Sequence, residues 1–112
     1  MRKIFKYTLT AITNVIEMPE NAIVLSCGLD KCGKICVWAL VDANEDAKTA
    51  TRNFYCVGTG WETGIVPRAY GNFFFPSKAP NASKENGDIC KFLGSVKDNN
   101  GCIWHIFYGE ER

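Results

Sequence analysis

The chain has 112 residues, with 13 basic and 12 acidic side chains and a formal net charge of +1. At 46% hydrophobic and 22% charged residues it has the composition of a globular domain and not of a disordered chain. The near balance of charge excludes a general nucleic-acid binder, which carries a basic excess. No apolar run approaches the roughly 18 to 20 residues that a membrane-spanning helix requires.

Phe5, Tyr7 and Leu9 alternate with Lys6, Thr8 and Thr10. This is the period of two that marks a half-buried strand. A secretory signal needs an uninterrupted apolar core, and Lys6, Thr8, Thr10, Thr13 and Asn14 break any such core here. The segment therefore reads as a first strand, and the protein as cytoplasmic. Residues 15–18 extend that strand or form a second short one, before Pro19 withdraws an N–H donor. Residues 22–29 form the next strand. Residues 30–33, Asp-Lys-Cys-Gly, then form a tight turn with a glycine free to take a positive φ. Residues 34–42 (KICVWALVD) are apolar on both faces, the pattern of a central strand covered on both sides.

Residues 43–48 (ANEDAK) are polar and acidic, a loop or a single helical turn. Residues 49–58 hold another strand, rich in β-formers and closed by Gly58-Thr59-Gly60. Two strands at 91–97 and 101–108 flank Asn100-Gly101, a pair in which both residues tolerate the left-handed region of a hairpin turn. Residues 61–89 differ. They contain Pro67, Pro76 and Pro80 among glycines, are polar over 77–88, and yet carry Trp61, Tyr70 and Phe73-Phe74-Phe75. A long connection of this kind usually has a function. Three adjacent aromatics on a strand cannot share one face.

The resulting expectation is an all-β or β-rich α+β fold. It is a single antiparallel meander or sandwich-like domain spanning 1–112, with about six or seven strands and an aromatic, proline-rich loop at 61–89. Phe5, Tyr7, Leu25, Val37, Trp38, Leu40, Phe54, Ile103 and Ile106 are expected to form its core. Cys27, Cys36, Cys56 and Cys102 lie in apolar stretches, where cysteine acts as a small buried hydrophobe. Cys32 and Cys36 would supply half a zinc site at most, so neither a metal, a cofactor nor a disulfide is expected.

Chemistry-bearing residues are sparse. His105 is the single histidine, and catalysis with cysteine would require a thiolate such as Cys36 or Cys102 within hydrogen-bond reach. Gly58-Thr59-Gly60 lacks the lysine or third glycine of a phosphate loop. Trp61, Arg68, Tyr70 and Phe74 are the candidate partner contacts, because interface hot spots favour large aromatics and arginine.

Several pieces, in order, resemble a family of small phage and prophage proteins of unknown function. They are Ile4-Phe5-Lys6-Tyr7, Met18-Pro19, Ile23-Val24-Leu25-Ser26, Cys36-Val37-Trp38-Ala39-Leu40-Val41-Asp42, Gly58-Thr59-Gly60, Phe92-Leu93-Gly94 and Trp104-His105-Ile106-Phe107. Trp61 departs from the histidine usual in that family, and residues 63–89 look expanded. The resemblance implies a phage or mobile-element accessory protein, a setting in which small inhibitors of host defence, including anti-CRISPR proteins, are common. Three readings stay open. The first is a non-enzymatic inhibitor that binds a host protein through the aromatic loop. The second is a small-ligand binder for a nucleotide signal with Trp61, Arg68 and Tyr70 in its pocket, assembled as a homodimer or alone. The third is a cysteine-based enzyme.

Overall fold

A computed structural model describes residues 1–42, 44, 48–76 and 87–109. Its strands are β1 (Arg2–Thr8), β2 (Thr13–Pro19), β3 (Ile23–Leu29), β4 (Ile35–Asp42), β5 (Thr49–Gly58), β6 (Val66–Pro67), β7 (Asn72–Phe75), β8 (Asp88–Lys97) and β9 (Ile103–Gly109). They form two antiparallel sheets, a small one in the order β1-β4-β3 and a large one in the order β2-β5-β9-β8-β7-β6. The fold is all-β, and among the described residues no helix is long and apolar enough to cross a membrane. The described strands number nine, more than the six or seven expected. The segment after Trp61 contributes the short pair β6 and β7, and β1 and β2 are separate strands.

The break between β1 and β2 is where the chain changes sheets. Leu9 donates its N–H to Ile35 of the small sheet, while Ile12 already accepts from Cys56 of the large one. Asn14, buried on the inner face, fixes the crossing. Its side-chain oxygen accepts from the N–H groups of Thr10 and Ala11 at 2.9 and 3.1 Å, and its amide donates to the Ala11 carbonyl at 2.7 Å. Backbone groups that have left one ladder and not joined the next are thus satisfied by one side chain. Proline stands only where the ladder tolerates it: Pro19 at the end of edge strand β2, and Pro67 in edge strand β6.

The core lies between the sheets. Val24, Val37, Ala39 and Val41 of the small sheet belong to one buried cluster with Met18, Phe54, Cys56, Val96 and Ile106 of the large sheet. As its pattern suggests, β4 is the central strand of its sheet. Its inner residues are buried, whereas Trp38 and Leu40 on its other face are only half-buried, as is Tyr7. Val37, Phe54 and Ile106 are core residues as expected. Phe5, Leu25 and Ile103 are not: all three are exposed. Leu25 occupies the bulge of β3 between Val24 and Ser26, where the alternation of faces is interrupted, and Ile103 is the first residue of its strand. Phe5 shares a face with the core residues of β4 but lies on an edge strand.

A second cluster covers the outer face of the large sheet: Phe75, Cys90 and Phe107, with Tyr55, Val57, Ile65 and Phe73 against them. The ring centroids of Tyr55 and Phe75 lie 4.7 Å apart, those of Phe75 and Phe107 5.0 Å, and those of Phe73 and Phe107 5.4 Å. Phe73 and Phe75 thus face this cluster. Phe74 alternates away from it, the division required of three adjacent strand residues.

Two hairpins share one turn design. Asp30 accepts at one carboxylate oxygen from the N–H groups of Cys32 and Lys34, and Gly33 takes φ 79°. Asp98 does the same for Asn100 and Cys102, and Gly101 takes φ 84°. Asn100 does not enter the left-handed region as the Asn-Gly pair suggested. The aspartate two residues before it builds the turn, so only the glycine needs a positive φ. The same turn leaves Cys102 exposed and not in the core. The expectations for 43–48 and 77–88 fall largely outside the described residues, as Ala43, Glu45, Asp46, Ala47 and residues 77–86 do.

Candidate functional site

Three of the four candidate contacts are on one arm. Strands β6 and β7 pair at the edge of the large sheet, joined through a single turn at Ala69–Gly71. Tyr70 at its centre has φ 59° and ψ 35°, and Gly71 follows with φ 72°. The N–H of Asn72 closes the turn on the Ala69 carbonyl. Two consecutive positive φ values are the type I′ pattern, which glycine, asparagine and aspartate normally supply. Tyrosine here costs about 1 to 2 kcal/mol through its β-carbon. Its side chain is nevertheless 98% exposed, so no buried contact offsets the strain. Arg68 and Phe74 lie at the root of the same turn, the guanidinium carbon 5.2 Å from the ring centroid. This is a cation–π arrangement that holds the guanidinium over the Phe74 ring.

Trp61 is elsewhere. The Gly58-Thr59-Gly60 sequence makes a turn in which Gly60 takes φ 85° and the N–H of Trp61 donates to the Gly58 carbonyl at 3.2 Å. The indole lies on Gly58, where a β-carbon would come within 2.6 Å of it. Its ring meets Trp104 edge-on at 5.3 Å. Both glycines have structural reasons, and the motif is a strand-ending turn. Trp61 remains 46% exposed and lines a cleft of about 510 Å³ with Val15, Asn53, Tyr55, Glu62, Ile65 and Phe75 among others. Arg68 and Tyr70 do not line that cleft, so the structure does not gather Trp61, Arg68 and Tyr70 into one pocket.

His105 of β9 lies between Ser95 of β8 and Thr59 in the turn that follows β5. Its Nε2 lies 2.7 Å from Thr59 Oγ1 and its Nδ1 2.7 Å from Ser95 Oγ. Both ring nitrogens are engaged by hydroxyl groups and neither by a thiol. None of the six cysteines forms a disulfide. Burial raises the Cys56 thiol to about 11 and also raises those of Cys27 and Cys36, the reverse of what activates a nucleophile. Among the described residues no group of three metal-ligating side chains is present.

Sequence reasoning missed Asp88. It is buried beside the aromatic cluster and accepts from the Tyr55 hydroxyl and, at 2.6 Å, from the Asn53 amide. An aspartate after Gly87 reads as loop, and only the register of β7 against β8 places it opposite Phe75.

These features define an all-β, two-sheet domain that displays an aromatic arm. The chain belongs to the family described as domain of unknown function DUF7352, whose model matches residues 1–112. No curated protein and no solved structure matches the chain.

Proposed function

We propose that this protein is a non-enzymatic binding module that engages a protein of the host cell through the β6–β7 arm. On the resemblance to phage and prophage proteins, its role is that of an accessory inhibitor of a host defence component, acting in the cytoplasm. The observation that carries the reading is Tyr70. A fully exposed aromatic held in a left-handed conformation is a cost with no return inside the fold, and such strain collects at recognition sites. Arg68 beside it adds the other side chain most enriched at hot spots.

The test is capture from lysate of a defended host by the immobilised protein, in parallel with Tyr70→Gly and Arg68→Ala. A host defence protein retained in equal molar amount by the parent chain and lost with Tyr70→Gly supports the reading. Tyr70→Gly should hold or raise the melting temperature, because glycine adopts this φ without cost. Loss of binding would therefore not reflect unfolding. Equal capture by parent and variant, or no improvement of phage plating when the parent is expressed, would sink it.

A further inference from the structure

We propose that the cleft beside Trp61 is a binding site for an alkylated ammonium group. The inference is independent of the Tyr70 arm. Aromatic rings carry negative charge on their faces and attract a cation within about 6 Å of their centroids. Tyr55, Trp61 and Phe75 all line this cleft, and its volume of about 510 Å³ falls within the range of small-molecule sites. Glu62 also lines it, and among the described residues no lysine, arginine or histidine does. Tyr55 donates its hydroxyl to the buried Asp88 carboxylate, which pushes electron density towards the ring. The described lining of the cleft is therefore aromatic and acidic. A phosphate would meet a carboxylate and, among the described residues, no cation to offset it. A trimethylammonium group would exchange weak hydration for contact with the exposed Trp61 ring and a carboxylate.

The same head group occurs on free quaternary ammonium compounds and on a trimethylated lysine of a protein, and both satisfy this chemistry. The test is a titration of the ¹⁵N-labelled chain with choline, read at the indole N–H of Trp61. The matched control is 3,3-dimethylbutan-1-ol, which has the same shape without the charge. Saturable choline binding is expected, with the neutral alcohol at least about threefold weaker. Glu62→Gln should weaken choline by a similar factor and leave the alcohol unchanged. Glu62 is exposed, so this variant tests the site without disturbing the fold. A trimethyl-lysine peptide that binds more tightly than choline assigns the site to a protein-borne ligand; a peptide no tighter than choline assigns it to a free one. Equal binding of choline and the alcohol, or no saturable shift at Trp61, would overturn the proposal.

Discussion

The sulfur of Cys27 stands 3.0 Å from the point where a β-carbon on Gly94 would sit. Here the two sheets approach most intimately: Cys27 follows the bulge of β3, and Gly94 follows the bulge of β8. Gly94→Ala should therefore destabilise by overpacking, by about 1 to 3 kcal/mol. Adding Cys27→Ala to it should recover part of the loss, since the removed sulfur frees the space. Urea unfolding of the two single variants and the double variant measures the coupling. Additive effects would show that the contact is not tight.

The indole N–H of Trp104 donates to Asp98 at 3.0 Å and is the main reason that carboxyl lies below its ordinary value of 3.8, with backbone N–H groups of the turn adding to it. A carboxylate whose pKa is lower in the folded state contributes stability above its unfolded value and loses that contribution as pH falls through the folded one. The melting temperature should therefore fall on acidification below about pH 4. Trp104→Phe should shift the Asp98 titration, followed by NMR, upwards. An unchanged titration would mean that the indole contact is absent in solution.

Ile106 is fully buried between the sheets, while Ile103, three residues earlier on the same strand, is exposed. Ile106→Ala should cost about 2 to 5 kcal/mol. Ile103→Ala should stay within about 0.5 kcal/mol of the parent. Equal costs in thermal or urea unfolding would contradict the inward face assigned to β9.

Thiol labelling should divide the cysteines by location. Cys32 and Cys102 are exposed and should alkylate first in the native protein. Cys36, Cys56 and Cys90 are buried and should react only on unfolding, with Cys56 further slowed by a thiol pKa of about 11. Mass spectrometry against time gives the order. Early labelling of Cys56 would place it at the surface.

The strands were legible wherever polar and apolar residues alternate, as at Phe5 to Thr8, or where both faces are apolar, as in β4. Two kinds of feature were not. Bulges at Leu25 and Leu93 shift which face a residue takes, and nothing in the local pattern announces them. The partition into two sheets depends on long-range pairing: the crossing at residues 10–12 is held by Asn14, which in sequence is only a polar residue in a β-rich run. For the candidate site, the aromatic content of 61–75 was visible, but its division was not. Tyr70 and Arg68 are on an arm and Trp61 is in a cleft because β6 pairs with β7, and a two-residue strand containing proline carries almost no pattern.

Strand β9 lies between β5 and β8, although every strand of both sheets precedes it in the chain. On the ribosome, β2 and β5 can pair early, and β7 can find β8, but each pair waits with an open edge until residues 103–109 emerge to join them. Ile106, and then the half-buried Tyr108 against it, complete the core. The order of synthesis thus makes completion of the large sheet a late event. A nascent chain stalled before Ile103 would present unpaired strand edges to the cell, the state in which chaperone dependence and aggregation are decided.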